Sequence, residues 1–190
     1  MRRFFELRRS WPESYCSLRI GRALKSKVCH LDVYENPCDE SYLQNYFISH
    51  YKPGHFPDVL PNNNGWFIVS SEFCRALNDT DAEAKAYTAS IASILPTFCP
   101  DILRSYSLLS VARVVDCLDL SSPGLNWFDQ TRNLVKYFDS LRFCKDKIPL
   151  GISFFGLMRV PCVFIISDAV RDNIINSKLT GVSFKECELV

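Results

Sequence analysis

Residues 160–190 read V-P-C-V-F-I-I-S-D-A-V-R-D-N-I-I-N-S-K-L-T-G-V-S-F-K-E-C-E-L-V, and no other stretch of the chain leaves its backbone so few options. Val163-Phe164-Ile165-Ile166 is an unbroken β-branched and aromatic run, the pattern of a strand buried on both faces. Ser167 follows at once, where a hydroxyl can accept from an orphan N–H at a helix start. Asp168 places negative charge in the first turn, which the helix dipole favours. Val170, Ile174 and Ile175 recur at helical spacing. Gly181 is suited to the left-handed conformation that ends a helix. Val182-Ser183-Phe184 resumes alternation, and Cys187-Glu188-Leu189 extends it. The unit is strand, capped helix, glycine stop, strand. None of its residues forms a recognisable reaction centre.

A chain of 190 residues suits one domain spanning residues 1–190. That length buries roughly 70% of the unfolded surface, so neither disulfide nor metal is needed to hold a core. The net charge of +1 is less basic than a dedicated nucleic-acid binder usually carries. The segment Met1-Arg2-Arg3-Phe4-Phe5-Glu6-Leu7-Arg8-Arg9 has the charges of a signal peptide, but Glu6 and the arginines interrupt any apolar core. No apolar run approaches the ~20 residues that span a bilayer. The nine cysteines are odd in number, scattered, and contain no C-x-x-C pair. Reduced thiols in a cytoplasmic protein fit this usage best.

Along the chain, Phe4-Phe5-Glu6-Leu7, Tyr15 to Ile20 and Val28 to Tyr34 carry strand patterns. Residues 35–65 form an irregular, aromatic-rich region punctuated by prolines and the Asn62-Asn63-Asn64-Gly65 turn, with one possible helical turn over residues 40–47. Trp66-Phe67-Ile68-Val69-Ser70-Ser71-Glu72-Phe73 echoes the C-terminal strand, serine cap and helix. Thr80-Asp81-Ala82-Glu83 is a capping box, and the apolar spacing behind it predicts a helix over residues 81–95. Residues 111–120 read as one strand leaving the core at Ser121-Ser122-Pro123-Gly124. Residues 126–143 suit helix and strand about equally. Ile152-Ser153-Phe154-Phe155 is a short strand. The class expected is α+β: a single domain with a mixed sheet packed by a few helices.

Candidate chemistry is sparse. Cys29, His30, Cys38, His50 and His55 lack the short regular spacings of a zinc site, and no cofactor or metal is expected. A Cys–His nucleophile pair needs only to meet in space, so a small hydrolase or thiol enzyme stays open as an alternative. A nucleophile elbow and a phosphate-binding glycine loop are both missing. Asp116 and Asp119 fall on opposite faces of a strand, which suits one solvated acid and one that caps the turn at Ser121 or Ser122. Arg2, Arg3, Arg8 and Arg9 could touch phosphate, or could guard an edge strand as solvated flanks. Asp32, Glu35, Asp39 and Glu40 form an acidic cluster beside Tyr42 and Tyr46. An acidic, aromatic-lined surface is one way to occupy a basic site on another protein; a solvated loop is the plainer alternative.

Several short motifs are similar to those of immunity protein family eleven, small proteins of bacterial polymorphic toxin systems. They are Val115-Asp116-Cys117-Leu118-Asp119-Leu120-Ser121-Ser122, Lys147-Ile148-Pro149, Phe155-Gly156-Leu157, Val163-Phe164-Ile165-Ile166-Ser167 and Leu179-Thr180-Gly181-Val182-Ser183-Phe184. Residues 65–77 resemble an upstream I-V-S-x-x-F element, so the likeness covers roughly the last two thirds of the chain. The resemblance implies a non-catalytic α+β protein that binds and neutralises a cognate toxin domain, with no nucleic-acid or membrane partner. Asp32, Glu35, Asp39, Glu40, Tyr42 and Tyr46 are the partner-binding residues expected.

Overall fold

The computed structural model of the chain describes residues 2–10, 12, 15, 17–22, 46–52, 55–62, 66–78, 86–90, 105–111, 113–129 and 134–190. The N-terminal half contributes β1 (Phe4–Arg9), β2 (Ser17–Arg22), β3 (Tyr46–Lys52), β4 (Val59–Leu60), β5 (Ile68–Ser70), helix α1 (Ser71–Asn78) and β6 (Ala86–Ser90). Then come β7 (Tyr106–Val111), β8 (Val114–Val115), β9 (Asn126–Asp129), β10 (Leu134–Tyr137) and β11 (Arg142–Phe143). A 3-10 turn (Lys145–Lys147) leads to β12 (Phe154–Leu157), β13 (Val160–Ser167), helix α2 (Asp168–Asn176), β14 (Val182–Glu186) and β15 (Glu188–Leu189). The class is α+β, as expected.

The central sheet has the order β14-β1-β13-β12-β8. Its strands are antiparallel except for β8, which runs parallel to β12. A second, antiparallel sheet has the order β4-β5-β7-β6. Smaller pairs are β2 with β3, β9 with β10, and the parallel pair β11 with β15. The central sheet divides two cores. One holds Phe5, Leu7, Phe154, Phe164 and Ile166 against Phe67, Val69, Leu109, Val111 and the two helices. The other holds Phe4, Phe155, Leu157 and Ile165 against Val115, Cys117, Leu118, Val135 and Phe143. Strands β1 and β13 therefore bury both faces, which is why residues 163–166 show no polar alternation. The one acid on β1, Glu6, is buried on the Phe4 face and accepts from Arg8 Nη2 at 2.8 Å.

The C-terminal unit folds as its sequence dictates at the start and differs at the stop. Ser167 Oγ accepts from the Val170 N–H, and Val170 and Ile174 are buried. Ile175, in contrast, is 53% exposed. The left-handed residue that ends α2 is Lys178 (φ 55), not Gly181. The Leu179 N–H donates to Ile174 O (3.2 Å) and the Lys178 N–H to Ile175 O (2.9 Å), the two bonds of a Schellman motif. Leu179 packs on the core that holds Ile174. Gly181 (φ 85) instead lets the chain pass against β4: a Cβ there would lie 2.5 Å from Val59 O.

Four other expectations are corrected. The helix over residues 81–95 is strand at Ala86–Ser90, paired with β7 through Tyr87↔Ser110 and Thr88↔Leu109. Tyr87 and Thr88 are good strand formers, and the open edge of β7 outweighs the local helical spacing. Thr80, Glu83 and residues 91–95 lie outside the described residues, as do 28–34. The region 35–65 is not irregular throughout: Tyr46–Lys52 is strand, with Phe47, Ile48 and Tyr51 in register with Gly21, Ile20 and Leu18 of β2, so no helical turn includes Tyr46 or Phe47. Residues 111–120 are not one strand. Val111 ends β7, Val114–Val115 joins the central sheet, and Leu118 makes a lone bridge to Phe143. Finally, β1 is interior, between β14 and β13. Its arginines do not guard an edge: Arg2 stacks over Phe4, Arg3 over Phe5 and Arg9 over Phe67. The ambiguous residues 126–143 contribute β9, β10 and β11.

Candidate partner-binding surface

Of the expected partner-binding residues, Asp32, Glu35, Asp39, Glu40 and Tyr42 lie outside the described residues. Tyr46 opens β3, with its Cα opposite Arg22 of β2. The motif residues nearer the C-terminus are placed, and nearly all of them hold the fold together.

Asp58 joins the two strand–helix units. Its Oδ1 accepts from Ser70 Oγ (2.8 Å), and its Oδ2 accepts from the Thr180 N–H (2.8 Å) and Thr180 Oγ1 (3.0 Å). Ser70 Oγ also accepts from the Phe73 N–H (3.1 Å), so one hydroxyl caps α1 and ties it to Asp58. Asn173 Nδ2 donates to Ala76 O (2.7 Å), linking α2 to the end of α1. Phe67 and Phe164, at matching places in the two units, meet with ring centroids 4.9 Å apart. The echo between the units is thus a physical contact as well as a pattern.

Asp116 and Asp119 divide their roles. Asp119 Oδ1 accepts from the Ser121 N–H (3.0 Å) and hydroxyl (2.6 Å), the turn cap expected. Asp116 is not simply solvated. Arg159 grips it with two 2.7 Å bonds, Nε to Oδ1 and Nη2 to Oδ2. The Arg159 bonds hold the Asp116 carboxyl below the usual carboxylate range, and the Ser121 bonds do the same for Asp119. A depressed folded-state value stabilises the protein above the unfolded carboxylate range, and that stabilisation is lost as pH falls through the folded value. Arg159→Met is therefore expected to cost about 1 kcal/mol at neutral pH, a small figure because the pair is partly solvated. The difference should shrink as pH falls below about 4, read from urea midpoints of both proteins across pH. A cost independent of pH would assign Arg159 a packing role only.

Three described thiols are driven away from reactivity. Burial pushes Cys74 up to about 11 and both Cys117 and Cys187 up to about 12. A nucleophilic cysteine needs the opposite shift. Of the histidines, His55 is exposed and bridges to Tyr15. Among the described residues no cluster of His, Cys, Asp or Glu is placed to hold a metal. No helix among them is long and apolar enough to cross a membrane.

A groove of about 470 Å³ is lined by Arg2, Arg3, Glu186, Cys187, Glu188 and Leu189. Arg2 Nη2 reaches Gly151 O, next to Leu150, which is 98% exposed. Beside the groove's far wall, Arg142 Nε lies between Glu188 Oε2 (3.4 Å) and Asp119 Oδ2 (3.8 Å). Charged walls around small apolar islands suit contact with a protein better than enclosure of a small molecule.

No curated protein matches the sequence. The model of the Immunity protein family (Imm11) matches residues 37–189, and every motif described above falls inside that span. Asp116 with its Arg159 fork, the Asp119 turn, the Ser167 cap and the Thr180-Gly181 junction are all features of the matched region. With well over half of its residues covered, the chain belongs to the Imm11 immunity protein family.

Proposed function

We propose that this protein binds a cognate toxin domain in the cytoplasm and neutralises it by occupying its working surface, with no chemistry of its own. The match to the immunity family over residues 37–189 carries this reading. Support also comes from the buried thiols and from motif acids and serines engaged in capping and ion pairing. Such a protein needs shape and charge complementarity with a few dominant anchors, and no reaction centre. We place the steering surface on Asp32, Glu35, Asp39 and Glu40, with Tyr42 and Tyr46 as aromatic contacts.

Growth of a bacterium expressing the C-terminal domain encoded by the neighbouring upstream gene tests the reading. That domain is expected to kill alone and to be tolerated when this protein is present, with the two recovered as a stoichiometric complex. A domain that kills regardless, or rescue without a complex, would refute it. Neutralising the four acids together should slow association about ten-fold at low salt and little at high salt. An unchanged on-rate would remove that surface from the proposal.

A further inference from the structure

We propose that Cys117 and Cys144 are a modification site: under peroxide they close a reversible disulfide between the β8–β9 connection and the turn after β11. The observation is their register. Leu118 and Phe143 form an antiparallel bridge. On either side of it, the Asp119 N–H donates to Arg142 O (2.9 Å) and the Cys144 N–H donates to Cys117 O (2.8 Å). One step out from the bridge, Cys117 therefore stands directly opposite Cys144. Cys144 keeps extended backbone there (φ −70, ψ 107) although it opens the 3-10 turn, and its side chain makes no cap bond. Residues opposite each other in an antiparallel pair put their side chains on one face. The matching pair one step the other way shows that face: Arg142 Nε lies 3.8 Å from Asp119 Oδ2.

Hydrogen-bonded opposite residues have Cα atoms about 5.5 Å apart, within the range that a disulfide spans. Their Cβ atoms stand about 4.5–5.5 Å apart, slightly wider than a disulfide prefers. Closure thus draws the two segments together, and a thiol reductant reopens the bond readily. Cys117 is fully buried and Cys144 half-buried, so peroxide meets Cys144 first. The Cys144 sulfur attacks the peroxide O–O bond, giving a sulfenic acid and one water. The Cys117 sulfur then attacks the Cys144 sulfur. The S–S bond forms, and the Cys117 proton leaves with the sulfenic hydroxyl as a second water. Both electrons end on the peroxide. Burial pushes the Cys117 thiol up to about 12, so the second step is the slower one and quickens as pH rises. Cys187 lies in the same core, but its N–H donates to Phe4 O, so its backbone is in register with β1 and not with residue 117. The bond closes a ring over residues 118–143, which carries β9, β10 and the Asp119 turn. Its formation does not depend on toxin binding.

Treating the folded full chain with hydrogen peroxide, alkylating it in urea and mapping its peptides by mass spectrometry tests the proposal. A Cys117–Cys144 cross-linked peptide, lighter by two hydrogens, should exceed every other pair containing either residue roughly ten-fold. Dithiothreitol should remove it. Cys117→Ser should leave Cys144 as a sulfenic acid that dimedone traps, while Cys187→Ser should leave the cross-link intact. Oxidation carried out in urea should abolish the preference, since only the fold holds the two residues opposite each other. If Cys117→Ser unfolds, the wild-type map in the folded and unfolded states decides. Cys117 recovered alkylated while Cys144 is oxidised would overturn the proposal. So would Cys117 joined to Cys187, or an equal yield of the Cys117–Cys144 peptide from the unfolded chain.

Discussion

Replacing Phe164 with alanine is expected to cost about 4 kcal/mol, the scale of large-to-small changes at packed aromatic positions. Phe164 is 1% exposed at the centre of β13. Its ring lies 4.9 Å from that of Phe67 and 5.6 Å from that of Phe154, the latter edge-on at 68°. Such pairs add to area burial because each ring's positive edge meets its neighbour's negative face. Opposite it on β12 sits Gly156, where a Cβ would already lie 2.9 Å from Val111 Cγ2, and on β1 sits Leu7. The site is lined by rigid strand on both flanks, so collapse into the vacated volume is restricted. Since small domains are stable by about 5–15 kcal/mol, the variant should retain roughly one fifth to three quarters of its stability. A urea titration should show a lower midpoint at unchanged slope. Ile175→Ala, on the exposed side of α2, should stay within about 0.5 kcal/mol and serves as the control. A Phe164 cost near 1 kcal/mol would mean that the two strand–helix units do not share a core.

That shared core was only half legible beforehand. Local patterns carried residues 163–166, the Ser167 cap and the Asp119 turn, because each depends on neighbours within a few positions. The helical spacing of residues 81–95 misled, because the edge of β7, some twenty residues on, satisfies the peptide groups of Ala86–Ser90 just as well. The interior place of β1 was invisible for a related reason. Its partners β13 and β14 come from the far end of the chain, and flanking arginines look the same whether they protect an edge or stack on rings. The Arg159 grip on Asp116 spans 43 residues and the Asp58–Thr180 bonds span 122, with no motif linking either pair. As for function, family likeness identified the class, while the acidic and aromatic residues 32–46 rest on charge and composition alone.

The second large effect is expected at Gly181, and it separates two reasons for conserving space around a backbone. Gly151 and Gly181 both hold a left-handed conformation, at φ 83 and φ 85. Around Gly151 nothing lies within 4 Å of where a Cβ would stand. Gly151→Ala therefore tests conformation alone and should cost about 1 kcal/mol. At Gly181 the same methyl would lie 2.5 Å from Val59 O and 3.1 Å from both Val59 N and Pro57 Cβ. The nearest obstacle is backbone, so β4 must move. Movement there breaks into the Val59 N–H bond to Thr180 O and the Asp58 bonds to Thr180, each worth about 1 kcal/mol. Gly181→Ala should then cost about 3 kcal/mol or more, measured as the difference in unfolding free energy from Gly151→Ala. Equal costs for the two would show that β4 yields freely and that Asp58 is not a rigid junction. A large difference would establish that the Leu179-Thr180-Gly181 motif serves to seat the second sheet on the first. Under the proposed function, the less stable Gly181 variant should also lose protection against the toxin domain at raised temperature before the Gly151 variant does.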